Sequence, residues 1–205
     1  VWRFDFNGYH GYTADGFTGV SPIQLKAGHA FGWQTLPPQY FERNWPDAPP
    51  YDSEDGELKY DGQATDSMGT PLTFLVDVAA GKTYEVMILT GDAVWNHDRQ
   101  KFTAAGSGTD GTTAWTLVDT WGAGAPSGDA ANAIWGGGTA NPGAGYYRWV
   151  RLTVDVDGAP GTVGQIAVTM EDLGGHDGTA VTLGMDIRPV DAVGQIAVAP
   201  LAALP

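Results

Sequence analysis

The segment from Trp95 to Arg99, WNHDR, holds the densest group of side chains able to contact a sugar. It places an indole, an amide, an imidazole, a carboxylate and a guanidinium within five consecutive residues. Sugar rings pack their C–H faces on aromatic planes, and their hydroxyls need fixed donors and acceptors. The predicted glycan contacts here are Trp95, Asn96, His97 and Arg99. The alternative is that Trp95 covers the core while Asp98 pairs with Arg99 in solvent.

Further aromatic side chains lie in two glycine-containing stretches. Tyr9, His10 and Tyr12 follow an early strand, with Gly8 directly before them and Gly11 between His10 and Tyr12. Exposed rings there would suit a ligand, whereas buried ones would close the end of a sandwich. Trp121 and Trp135 flank a stretch rich in Gly, Ala, Asn and Pro. We predict both as ligand contacts, and the alternative is that such a Trp anchors its loop to the core.

An acidic run could supply the oxygen ligands that Ca²⁺ requires. Its proposed ligands are Asp52, Glu54 and Asp55, in the sequence YDSEDGE. The spacing is not that of an EF-hand, and the other interpretation is a solvated acidic loop. A structural calcium ion is therefore one of two expectations that the residues leave open.

Signatures of enzymes are scarce. There is no Gly-x-Ser-x-Gly, and the four histidines form neither a His-x-x-x-His nor a His-x-His pair. The remaining enzymatic alternative is a jelly-roll polysaccharide lyase, in which a Tyr or His base removes the proton α to a uronate carboxylate. Its residues would be drawn from Tyr147, Arg148, Arg151 and His97. The predominance of acidic over basic residues makes a groove for a polyanion hard to build.

Composition limits the classes of partner. The 205 residues include 24 acidic and 10 basic ones, a formal net charge of −14, so nucleic acid and anionic membrane surfaces are poor partners. No apolar run reaches the roughly 20 residues that span a bilayer. Cysteine is absent, which excludes disulfides and thiolate chemistry. The start at Val1 and the absence of a signal peptide indicate an excised segment, and we expect an extracellular, secreted location.

Alternating apolar and polar residues predict an all-β fold, a single antiparallel β-sandwich of jelly-roll type. Leu72–Val78 and Thr83–Leu89 are predicted to form a hairpin, and Tyr147–Val156 to form a strand closed by a turn at Asp157-Gly158. Residues 122–145 are predicted to be a long surface loop. The other expected strands are Trp2–Phe6, Phe102–Ala105, Thr113–Asp119, Gln165–Glu171 and Val181–Ile187, with VGQIAV at Val163–Val168 and Val193–Val198 as two similar strands. Residues 1–199 form the predicted domain, and residues 200–205 a linker stub.

Three segments resemble malectin-like, galactose-binding-like domains. They are FDFNGYHGYTADGFTGVSPIQLKAGHAFGW at Phe4–Trp33, LTFLVDVAAGKTYEVMILTGD at Leu72–Asp92 and GMDIRPV at Gly184–Val190. The resemblance covers most of the chain but not Pro37–Tyr60, which is longer than the pattern expects. Such domains often accompany catalytic domains of polysaccharide-degrading enzymes. The resemblance thus implies a galactose-binding-like sandwich that binds poly- or oligosaccharide and is tethered to a catalytic domain.

Together these features predict a non-catalytic carbohydrate-binding module of a secreted, polysaccharide-active protein. Two alternatives remain beside it: a structural spacer or interaction domain of a larger enzyme, and the lyase. The three aromatic segments would form one site only if the fold brought them to the same edge.

Overall fold

The computed structural model describes residues 1–9, 12–42, 58, 61–92, 97–118, 147–174 and 178–190, together with the backbone of residues 133–135. No α-helix occurs in these ranges, and none of their elements is a helix long and apolar enough to cross a membrane. The strands are β1 Trp2–Phe6, β2 Thr18–Val20, β3 Phe31–Trp33, β4 Gln39–Glu42, β5 Asp61–Ala64, β6 Leu72–Ala79, β7 Lys82–Thr90, β8 Gln100–Gly106, β9 Thr113–Val118, β10 Ala133–Trp135, β11 Arg148–Val156, β12 Val163–Asp172, β13 Val181–Thr182 and β14 Gly184–Pro189.

Two large sheets pack face to face, which confirms the all-β sandwich. One has the order β10-β11-β7-β14-β1-β2, and the other β3-β6-β12-β8-β9. All neighbours are antiparallel except β1 and β2, which are parallel. A small third sheet, β13-β5-β4, lies at one end. The inner faces alternate with period two, so that Phe74, Val76 and Ile166 are fully buried while their neighbours along the strand are partly exposed.

A second, smaller apolar cluster packs on the outer face of the six-stranded sheet. Leu89 and Gly184 are register partners on that face, and Leu58 lies against Gly184. Leu183 and Tyr147 also belong to the buried part of the cluster, with Phe41 from the small sheet packed against it. This cluster attaches the third sheet to the sandwich.

The predicted hairpin of β6 and β7 is wrong, because the two strands lie in different sheets. At the connection, Ala80 N–H bonds to Thr162 C=O at 3.0 Å and Gly81 N–H bonds to Val156 C=O at 2.8 Å. The backbone groups of the turn are therefore satisfied by other strands, and Gly81 adopts a φ of 71° to make the crossing. The turn at Asp157-Gly158 likewise joins the two sheets, so it is not a hairpin turn either.

Three other sequence expectations change. Residues 122–145 are not entirely loop, since β10 lies inside that range and pairs with β11. Val181–Ile187 is two strands, because β13 pairs with β5 whereas β14 pairs with β1 and β7. The strands β2 to β5 were not predicted. Residues 193–198 and the linker stub lie outside the described residues.

Candidate functional site

The segments predicted to contact ligand all leave the sandwich at one end, here called the loop end. Thr90 and Gln100 flank the connection that contains Trp95, and their side chains hydrogen-bond to each other at 3.0 Å. Phe6, which precedes the Tyr9 loop, lies in the same sheet two strands from Leu89. Arg148, opposite Thr90 in register, pairs on its other side with Trp135. The flanks of the three segments therefore converge.

A buried polar layer fixes the strand ends beneath these segments. Gln100 is fully buried, and its Oε1 accepts hydrogen bonds from the Thr90 hydroxyl and from Val181 N–H at 2.9 Å. Asp172, also fully buried, accepts from Gly174 N–H at 2.6 Å. Buried polar groups cost free energy unless they are bonded, so these contacts select one arrangement of the strand ends.

Two exposed tyrosines form an aromatic pair at this end. The rings of Tyr9 and Tyr40 meet edge to face, with centroids 4.8 Å apart and an interplanar angle of 86°. They are 54% and 44% exposed, and Tyr12 on the same loop as Tyr9 is 84% exposed. Exposed aromatic area of this size is costly in water, and it suits a ligand with an apolar face.

One carboxylate, that of Glu42, lies close to the tyrosine pair. Glu42 is exposed and opposes Asp61 in the β4–β5 register. Its side chain lies against the backbone of Gly8, where a Cβ would overlap it. A hydrogen-bond acceptor is thereby positioned next to Tyr9. Glycine at position 8 is what allows this close approach.

Asp61 is buried beneath this group, and its carboxyl holds the loop. Its Oδ2 accepts from Gly8 N–H at 2.9 Å, while its Oδ1 has no hydrogen-bond partner among the described residues. The pKa of Asp61 is raised to about 8, mainly by burial and also by the nearby Asp5 and Glu42, against the opposing effect of the Gly8 hydrogen bond. Asp61 is therefore largely protonated at pH 7.

Gln63 joins the small sheet to the sandwich. Its Oε1 accepts from the Trp33 indole N–H, and its Nε2 donates to the carbonyls of Asn7 at 2.8 Å and Val20 at 2.6 Å. On the far side of the loop, Asp5 accepts from Ala14 N–H at 2.7 Å. The segment that carries Tyr9 and Tyr12 is thus held at both of its bases.

The WNHDR segment divides between buried and exposed positions. His97 is 5% exposed, and its Nε2 lies 3.8 Å from Oδ2 of the buried Asp92. Little of the His97 ring is exposed in this arrangement, and its contact with a ligand stays a prediction. Arg99 is exposed and has a φ of 51°, an uncommon conformation for a non-glycine residue.

Several predicted site residues cannot be placed on this surface. His10, Trp95, Asn96, Trp121, Asp52, Glu54 and Asp55 lie outside the described residues, as does the side chain of Trp135. Within the described part of the chain, no group of three or more His, Asp or Glu side chains is arranged to hold a metal ion. The calcium site remains a prediction.

The residues named for a lyase do not line one open groove. Tyr147 and Arg148 are buried, with 5% and 1% exposure. Arg151 lies on the outer face of its sheet and pairs with Glu85 at 2.8 Å. Arg148 and Arg151 stand an odd number of residues apart on one strand, so they point to opposite faces.

Sequence reasoning missed Tyr40, Glu42 and Asp61 as members of the site. They lie in or next to Pro37–Tyr60, the stretch that departs from the resembled pattern. The signal in the sequence that could have indicated them is the extra length of Pro37–Tyr60, which lies beside aromatic and acidic residues. Its contact with the Tyr9 loop depends on pairing between segments far apart in the chain.

Comparison with known proteins shows likeness in structure only. No protein-family model matches the chain, and no curated protein matches it in sequence. The ANX2 ectodomain from Arabidopsis thaliana superposes with a TM-score of 0.54 at 13% identity, over 95% of this chain and 51% of that one. The ANX1 ectodomain from the same plant gives 0.54 at 12% identity, over 95% and 49%. A structure of TmCBM61 with β-1,4-galactotriose reaches 0.36 at 12% identity, covering 78% and 82%.

The likeness to the ANX ectodomains supports the malectin-like sandwich expected from the sequence, as a fold. The chain spans about half of the length of the ANX ectodomains it matches. At such identities the likeness concerns the fold, and function has to be argued from the site.

Proposed function

We propose that this chain is a non-catalytic carbohydrate-binding domain whose glycan site is the loop end. The single observation that carries the proposal is the exposed pair of Tyr9 and Tyr40, held beside the carboxylate of Glu42. An aromatic surface matches the C–H face of a sugar ring, and a fixed hydrogen-bond acceptor beside it matches a sugar hydroxyl. Trp95, Asn96, Arg99, Trp121 and Trp135 are proposed to extend the site, since their segments leave the same end.

We place the domain outside the cell, in a larger polysaccharide-active protein. The location is supported by the two ANX structures, since both are ectodomains. Tethering to a catalytic domain is proposed from the family resemblance alone. A structural calcium ion held by Asp52, Glu54 and Asp55 belongs to the same proposal.

Affinity electrophoresis in native gels tests the proposed site. The gels contain a neutral glycan, either β-1,4-galactan, xyloglucan or hydroxyethylcellulose, or an acidic one, either pectate or alginate. We expect at least one glycan to retard the protein, and Tyr9→Ala and Tyr40→Ala to weaken that apparent affinity by about five- to tenfold each. Tyr9→Phe should keep most of the affinity, because it retains the ring.

A glycan that retards wild type and both alanine variants equally would remove the loop end as the site. Retardation by none of these glycans would favour the second candidate, an interaction domain. That candidate is supported by the same exposed aromatic pair, since a protein partner can also cover it. It predicts no response to glycan.

A further inference from the structure

A second exposed aromatic side chain stands on the outer face of the five-stranded sheet, away from the loop end. Trp115 on β9 is 58% exposed, although indole is among the most costly side chains to leave in water. It belongs to a rigid strand that pairs with β8 over six residues on each side. Its position is therefore set by the sheet.

Hydroxyls continue from Trp115 across the sheet in one row. Trp115 opposes Thr103, Thr103 opposes Thr169, and Thr169 opposes Thr73. The three threonines are partly exposed, and the hydroxyls of Thr73 and Thr169 lie 2.9 Å apart. Neighbouring strands are about 4.8 Å apart, so the row extends for roughly 14 Å.

The next row toward the turns has small side chains on β9, β8 and β12, and it ends at Leu75 on β6. Ala105 opposes Ala167 there, and both are partly exposed. The indole has no bulky outward neighbour in that row on β8 or β12. The flat indole ring therefore lies beside a shallow surface of small side chains, with threonine hydroxyls along its border.

The charges around Trp115 are balanced. Lys101 Nζ lies 5.8 Å from the centre of a Trp115 ring and 3.7 Å from Glu171 Oε2. Among the described residues this ion pair balances the charges next to Trp115, and the protein as a whole carries −14. An anionic ligand is repelled, so an uncharged one is favoured.

The size of the apolar area argues against a protein partner or a second copy of the chain. A stable interface buries about 800 Å² per partner around a largely apolar centre. Here a single exposed aromatic ring is bordered by threonine, alanine and one ion pair, with Leu117 and Leu75 partly exposed on the same face. A flexible, hydroxyl-rich chain with an apolar ring face fits this surface better.

We infer that the Trp115 face is a second glycan-binding surface, selective for an uncharged polysaccharide laid across β9, β8, β12 and β6 toward Thr73. It shares the ligand class of the proposed function, but it depends on different residues. A second surface on one domain would raise retention on long polysaccharides through multivalency.

The experiment uses the same native gels with the protein, Trp115→Ala, Trp115→Tyr and the double variant Tyr9→Ala/Tyr40→Ala. Hydroxyethylcellulose and carboxymethylcellulose form a matched pair of neutral and anionic glycans on one backbone, and galactan and xyloglucan add two further neutral glycans. We expect Trp115→Ala to lower the apparent affinity for at least one neutral glycan by about fivefold, and Trp115→Tyr to restore most of it. Carboxymethylcellulose should retard none of the proteins through this face.

The double variant separates this inference from the proposed function. Retardation that depends on Trp115 and persists in the double variant supports the second surface even if the loop end does not bind. Equal retardation of the protein and Trp115→Ala on every neutral glycan overturns the inference, and so does retardation of neither. Size-exclusion chromatography gives a further test. If the protein is a dimer and Trp115→Ala is a monomer, the Trp115 face binds a second copy of the chain and the inference is overturned.

Discussion

The two ends of the sandwich are closed in different ways. At the end opposite the loop end, here called the turn end, the connections at residues 79–82, 106–112 and 157–162 are bonded mainly through the backbone. Asp157 N–H bonds to Ser107 C=O at 2.9 Å, and Ser107 N–H bonds to Gln165 C=O at 2.9 Å. At the loop end, side chains such as Gln63, Gln100 and Asp61 make the corresponding bonds.

This difference indicates where function can be placed. Backbone-bonded turns need little specific side-chain chemistry beyond glycine, and they leave few groups free for a ligand. Where a side chain does take part, as Asp157 does, hydrogen bonds from Gly158, Asp110 and Thr109 occupy its carboxylate and hold its pKa below the usual range. The longer connections of the loop end are held by side-chain hydrogen bonds. They can therefore carry exposed tyrosines and carboxylates while the strands of the sandwich stay in place.

The largest expected effect is at the turn end. A Cβ at Gly106 would overlap the backbone carbonyl of Asp155, so we expect Gly106→Ala to lower the free energy of unfolding by about 3 kcal/mol or more. The matched control is Gly178→Ala, whose added Cβ meets only Met68 N at 3.8 Å. Urea unfolding monitored by fluorescence measures both. Equal stability of the two variants would show that the turn end is not closed by backbone packing.

A second substitution targets the side-chain bonds of the loop end. Gln63→Leu leaves the buried Trp33 indole N–H and two carbonyls without this partner, so we expect a loss of about 2 kcal/mol. Weakened glycan binding should accompany it, because the Tyr9 loop loses its anchor. Gln165→Leu is the control, since Gln165 makes one side-chain bond of 3.3 Å to Asp77. A variant at position 63 as stable as this control would contradict the role of Gln63.

A third prediction concerns the pH dependence of stability. The pKa of Asp61 is about 8 in the folded protein against 3.8 in the unfolded chain, so the folded state holds one more proton between these values. The protonated Asp61 therefore contributes to the free energy of unfolding. This contribution is fully present below pH 4 and is lost as the pH rises toward 8, at about 1.4 kcal/mol per pH unit at its steepest.

Asp61→Asn tests this contribution, because an amide can still accept the Gly8 hydrogen bond without ionising. The variant should be less sensitive to pH between 5 and 8 and more stable than the parent at pH 8.5. Thermal unfolding across pH 4 to 9 measures it. Parallel curves for the two proteins would exclude a raised pKa at Asp61.

The smallest expected effect concerns the predicted calcium ion. Chelation with EDTA should lower the melting temperature by a few degrees, since a bound ion stabilises only the folded state. Asp52→Asn/Asp55→Asn should remove the response to EDTA. An unchanged melting temperature on chelation would eliminate the site.

The sequence predicts the individual long strands better than it predicts which strands pair with each other. Strands such as Leu72–Ala79 and Arg148–Val156 alternate strictly, and a period-two pattern is local information. The assignment of β6 and β7 to different sheets depends on distant partners of the turn, which no local pattern specifies. The short strands β2 to β5 have too few residues to show a period.

The candidate site was predicted in part for the same reason. The sequence leaves open whether Tyr9 and Tyr12 are exposed or close the end of the sandwich, and the structure exposes both. His97 was expected in contact with ligand, yet the structure buries it beside Asp92, a choice that the residue type does not reveal. The partnership of Tyr9 with Tyr40 joins positions 31 residues apart, so it appears only in the folded chain.

The most direct test of the central claim is a ¹H–¹⁵N correlation titration with short oligosaccharides of the glycan that retards the protein most. The account predicts shifts at Gly8, Tyr9, Tyr40 and Glu42 of the loop end. Gly81, Gly108 and Gly158 of the turn end should stay unmoved. Shifts at those glycines, or none at Tyr9 and Tyr40 on saturation, would contradict it.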